Sequence, residues 1–110
     1  MNQPAPVIVM AILLPRPGSE ERVESALLKA VEATHAQDDG CELYAAHRRI
    51  KGKPGFVVIE KWSSGALLGA HASGPAFAAL TSDLVDLLVE PMEVSVLQPL
   101  PAGDEKLGQL

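Results

Sequence analysis

The chain has 110 residues, a formal net charge of −5 and only nine Lys plus Arg, which supports one domain burying roughly two thirds of the surface its unfolded form exposes. That balance argues against nucleic acid or an anionic membrane as partner, because counterion release needs a clustered basic surface, and the one cluster, Arg48-Arg49 with Lys51 and Lys53, reads as a hairpin tip. The single cysteine, Cys41, excludes an intramolecular disulfide and fits a reducing compartment.

Met1-Asn2-Gln3-Pro4 has no positively charged leader segment, and the apolar run Val7–Leu14 is too short to cross a bilayer. The expectation is a soluble cytoplasmic protein. The run Val7–Leu14 is apolar without alternation, as in a strand covered on both faces, and Pro15 and Pro17-Gly18 end it. Ser19 then reads as an N-cap, with Glu20 and Glu21 in the first turn complementing the helix dipole. Val23, Leu27 and Val31 recur at helical spacing beside Ala26 and Ala30, predicting an amphipathic helix to about His35, closed by Asp39-Gly40.

Cys41–Ile50 and Phe56–Trp62 read as two strands joined through Lys51-Gly52-Lys53-Pro54-Gly55, a hairpin loop. A turn centred on Lys53 pairs Tyr44 with Trp62 and Ala46 with Glu60, all four on one face; a slip of one residue brings His47 towards Glu60 instead. Ser63 or Ser64 can cap a short helix through His71, and Ser73-Gly74-Pro75 opens another. Phe77, Leu80, Leu84 and Leu88, with Thr81 on the same side, predict a buried stripe stopped at Glu90-Pro91. Met92, Val94 and Val96 alternate with Glu93 and Ser95 in a last strand. One domain over residues 1–98 is expected, with a proline- and glycine-bearing tail over 99–110.

The element order is thus β-α-β-β-α-β with the second helix in two pieces, an α+β, ferredoxin-like arrangement with helices on one face of an antiparallel sheet. The first strand is apolar on both sides: Val7, Val9, Ala11 and Leu13 alternate with Ile8, Met10, Ile12 and Leu14. Something other than a helix must cover the second face, and the economical answer is the same sheet of a second subunit.

Gly40-Cys41 with Tyr44, Glu60-x-Trp62, Ala66-Leu67, Ala70-His71 and Gly74-Pro75-x-Phe77, spread over Val7 to Leu97, together resemble the antibiotic biosynthesis monooxygenase family, including its quinol monooxygenase-like members. The resemblance implies a dimeric α+β barrel and, for several members, oxygenation of phenolic or quinol substrates by O₂ without flavin, haem or metal. Haem-degrading relatives carry an asparagine where Ala11 stands here, which disfavours that role.

Cofactor-free oxygenation requires a substrate that supplies the electrons and a protein that holds it, assists proton removal and excludes water. His71 is the first choice for the proton-handling group, since imidazole titrates nearest neutral pH; its other reading is a helix-end histidine bonded to a backbone carbonyl. Glu60 either orients His71 or acts as a base with a raised pKa, or else is a strand carboxylate paired with a cation or with backbone amides. Trp62 either stacks on a planar ring or closes the space between sheet and helix. Tyr44 and Phe77 complete an aromatic wall or simply pack. The chain has only four aromatic residues, Tyr44, Phe56, Trp62 and Phe77, which gives their clustering weight.

No metal-ligand motif is present. Cys41 and His47 share a strand face on simple alternation but lie roughly 20 Å apart at about 3.3 Å per residue, and there is no His-x-x-x-His, paired-cysteine motif, phosphate loop or serine elbow. The leading expectation is a homodimeric, cofactor-independent monooxygenase acting on a small quinol or polyketide-type aromatic and O₂. The alternatives are a non-catalytic small-molecule-binding or stress-associated dimer, and an isomerase or decarboxylase on the same scaffold.

Overall fold

The computed structural model describes residues 5–110; the Met1–Pro4 stretch lies outside the described residues. The chain forms β1 (Val7–Leu13), α1 (Glu20–Gln37), β2 (Cys41–Arg48), β3 (Phe56–Trp62), α2 (Gly65–Ala72), α3 (Pro75–Asp83) and β4 (Glu93–Leu97). The four strands make one antiparallel sheet in the order β2-β3-β1-β4. This is the α+β, ferredoxin-like arrangement expected from the element order.

Strand alternation sends Val9, Ala11 and Leu13 of β1 and Phe56, Val58, Glu60 and Trp62 of β3 to the helix side. There they meet Val23, Ala26, Leu27, Ala30 and Thr34, the inward stripe of α1, and Leu80 and Leu84 from α3 and its end. Truncating a fully buried side chain such as Leu27 or Leu80 to alanine would cost about 2–5 kcal/mol. At the start of α1, Ser19 is the cap residue but its side chain makes no capping bond. Glu20 instead accepts from the Gly18 N–H at 3.0 Å.

Three further expectations need correction. Tyr44 pairs with Glu60 and Ala46 with Val58, two residues out of the anticipated register. A two-residue shift preserves the face, so Tyr44, Ala46, Glu60 and Trp62 still point to the helices. The ladder is irregular between Cys41 and Leu43, and the extra residue turns Cys41 inward against the core rather than to the face of exposed His47. Helix α3 stops at Asp83, well short of Leu88, and beyond it Asp86 takes a left-handed backbone conformation (φ 63°) that a continuing helix would not allow. Leu88 instead bridges to Pro15, and Thr81 is exposed, its hydroxyl donating to the Phe77 carbonyl at 2.9 Å.

Among the described residues, no helix covers the far side of the sheet. Met10, Ile12, Leu43, Ala45, Val57 and Ile59 stand there half-buried. On edge strand β4 both Val94 and Val96 are exposed. After β4, residues 98–110 contain neither helix nor strand; Lys61 reaches the Leu110 carbonyl at 2.9 Å, which brings the chain end to the helix-free face.

Candidate functional site

Glu60 and Trp62 lie two residues apart on β3, so they project side by side, and the Trp62 indole N–H donates to Glu60 Oε1 at 2.9 Å. Tyr44 stands across from Glu60 on β2. Helix α2 starts where Ser64 accepts from the Leu67 N–H at 3.2 Å, and its only buried residue is His71, in its last turn. Gly74 and Pro75 then open α3, with Phe77 in its first turn.

These elements converge on the His71 ring. Its centroid lies 4.6 Å from the Trp62 ring, 5.4 Å from Tyr44 and 5.5 Å from Phe77, the last two edge to face. Three of the chain's four aromatic residues therefore surround one imidazole. His71 Nδ1 lies 2.6 Å from Asp38 Oδ2; the His71 side chain is buried and that of Asp38 is 10% exposed. A bond this short to a carboxylate places the proton on Nδ1, leaving Nε2 with its lone pair in the neutral ring.

Asp38 was not singled out from the sequence. Its signal was present: it caps the C-terminus of α1, where the helix dipole disfavours an anion, so a carboxylate there calls for a compensating donor. Glu60, read as the residue that orients His71, has its hydrogen bond with Trp62 instead. Trp62 has no exposed surface and its only donor is taken by Glu60, so it backs the histidine as a buried slab. His35 donates from Nε2 to the Tyr44 carbonyl at 3.0 Å, tying the end of α1 to β2, and His47 is exposed on the outer face.

Burial raises the Glu60 carboxyl pKa, partly offset by the Trp62 hydrogen bond and the nearby imidazole. Burial, followed by the charge of Glu60, pushes the Tyr44 phenol up as well, so it remains a neutral O–H. Tyr44, Glu60, His71 and Phe77, with Leu68 and Met92, line a chamber of about 70 Å³. Among the described residues, no group of three or more His, Cys, Asp or Glu side chains is placed to hold a metal ion. No helix among them is long and apolar enough to cross a membrane.

The profile of a family described as antibiotic biosynthesis monooxygenase matches residues 6–81, which spans β1 through most of α3 and includes Asp38, Tyr44, Glu60, Trp62, His71 and Phe77. The chain belongs to that family. Within it, the chain is 30% identical over 96 residues to Rv0793 of Mycobacterium tuberculosis, named as a candidate monooxygenase, covering 87% of this chain and 93% of the relative. The solved structure of Rv0793 superposes with a TM-score of 0.81, at 28% identity over 91% of this chain and all of that one. PA3566 from Pseudomonas aeruginosa superposes with a TM-score of 0.78, at 25% identity over 91% and 99% of the two chains. A candidate antibiotic biosynthesis monooxygenase from Caulobacter crescentus, 20% identical over 89% and 92%, shares the fold with a TM-score of 0.81. Membership in the antibiotic biosynthesis monooxygenase family makes the chain monooxygenase-like.

Proposed function

We propose that this protein is a cofactor-independent monooxygenase that oxidises a small quinol or polyketide-type aromatic with O₂, using His71 and Glu60 for proton transfer. The observation that carries the reading is the largely buried Asp38–His71 pair at the wall of an apolar chamber. Asp38 holds the proton on Nδ1, so Nε2 takes a proton from a substrate hydroxyl. The resulting anion gives one electron to O₂, and the two radicals combine at a ring carbon. Loss of water from the peroxide leaves one oxygen atom in the product and the other in water, with all four electrons supplied by the substrate. Glu60, whose carboxyl holds its proton more tightly than usual, supplies the proton that departs with water.

Tyr44 and Phe77 hold the substrate ring, while Trp62 keeps the imidazole in place from behind. The half-buried apolar sheet face supports a homodimer in which two copies pack back to back, and a cytoplasmic location fits the single free cysteine. A domain ending near residue 98 fits the end of β4 at Leu97.

Oxygen uptake by purified, metal-stripped protein with 1,4-dihydroxynaphthalene and an anthrone tests the reading. Enzyme-dependent uptake above a buffer control is expected. Thermal stabilisation by these compounds without uptake would support the alternative of a binding protein that does no chemistry.

A further inference from the structure

The chamber against His71 measures about 70 Å³, whereas a cavity of about 150 Å³ is known to take up a single benzene. An aromatic ring therefore cannot enter it with the side chains as they stand. Immediately outside lies a groove of about 500 Å³ lined by Arg16, Leu84, Val85, Leu88, Val89 and Pro91, among others. That volume suits a ligand well beyond one ring. Phe77 and Met92 line both spaces, so these two side chains form the partition between them.

We infer that chamber and groove are two halves of one binding site, opened by movement of Phe77 and Met92, and that the substrate is a quinol bearing an uncharged apolar arm. The hydroxylated ring sits at His71 and the arm lies along the groove. This rests on the quinol reading above, but the groove itself is argued from size and continuity. Met92 is suited to yield: its side chain is unbranched and flexible, and it lies between α3 and β4, outside either element. Val85 and Val89 are 64% and 59% exposed, an apolar floor that nothing else among the described residues covers. The charged groups lining the groove are Arg16, Asp86 and Glu90, and Arg16 already donates from Nε to the Leu88 carbonyl at 3.0 Å. One cation against two carboxylates offers no attraction to an anionic arm.

Calorimetric titration under anaerobic conditions with hydroquinones carrying 2-methyl to 2-hexyl chains tests the inference without turnover. Kd is expected to fall about three- to fourfold per added methylene until the groove is filled. Val85→Glu and Val89→Glu, both at exposed positions, should flatten that dependence. Met92→Ala, which removes half of the partition, should bind the methyl compound several-fold more tightly because less rearrangement precedes binding. Equal affinity along the series, or no binding of any member, overturns the inference. So does a Val85→Glu variant that changes only the sedimentation coefficient, because the groove would then be covered by a second copy. Graded binding without oxygen uptake would leave the groove standing and remove the oxygenase; uptake with flat affinities would do the reverse.

Discussion

Asp38 at the end of α1 and His71 at the end of α2, 33 residues apart in sequence, meet through a 2.6 Å contact between Oδ2 and Nδ1. Removing one member of a largely buried, charge-assisted pair leaves the other unsatisfied, at a cost of about 1–3 kcal/mol. Asp38→Ala should lower stability by that amount, and Asp38→Asn, which keeps a neutral acceptor, by less. Urea denaturation of the three proteins checks the order. An Asp38→Ala midpoint equal to that of the parent would mean the contact adds nothing.

The proton-handling role of His71 separates from its packing role in His71→Gln, which retains a side-chain N–H able to reach Asp38. A rate loss of about 10²–10⁴-fold, with near-parental stability, is expected from loss of a general base. Steady-state oxygen uptake, alongside a thermal melt, decides this. A drop in melting temperature matched by only a small rate loss would make His71 structural.

Glu60 gives the chain a pH signature. Its folded-state pKa is raised above the ordinary 4.5, chiefly by burial, so the folded protein binds that proton more tightly than the unfolded one. Its contribution is fully present below about pH 4.5 and is lost as pH rises through the raised value. Glu60→Gln keeps an oxygen to accept the Trp62 N–H and removes the ionisation. The variant should be more stable than the parent at pH 7 and show a flatter stability profile just above pH 4.5, read by thermal denaturation from pH 4 to 8. A parent less stable than the variant at pH 4 but more stable at pH 7 would reverse the sign and refute the assignment.

Much of this site was legible in local pattern. The period-2 alternation of Phe56–Trp62 puts Glu60 and Trp62 on one face, and the serine and proline signals bracket the two short helices, so His71 and Phe77 fall over that face. The strand register was not legible, because the loop from Lys51 to Gly55 admits more than one turn centre, and the observed pairing of Arg48 with Phe56 centres it on Gly52 rather than Lys53. The end of α3 was hidden because Leu84, Leu87 and Leu88 keep a helix-like apolar spacing after the helix has ended at Asp83. The partner of Asp38 was not legible because it is tertiary; among Asp38, Asp39 and Gly40 only the place of this carboxylate at a helix C-terminus sets it apart from a turn residue.

Gly40 links that turn to the site. It has φ +80°, and a Cβ there would come within 2.4 Å of Leu67 Cδ1 and 2.8 Å of Leu67 Cβ on α2, while its carbonyl accepts from the Ser63 N–H at 2.9 Å. Gly40→Ala should therefore displace α2 and destabilise the fold by about 1–3 kcal/mol, and oxygen uptake should fall with it. A variant unchanged in both would show that α2 is free to shift without disturbing His71.

The most direct test of the oxygenase account is mass analysis of the product formed from 1,4-dihydroxynaphthalene under ¹⁸O₂, comparing the parent chain with His71→Gln. The account requires one labelled oxygen atom per product molecule, the other appearing in water, with formation slowed in the variant. Unlabelled naphthoquinone as the sole product, formed at the same rate by both proteins, would contradict it.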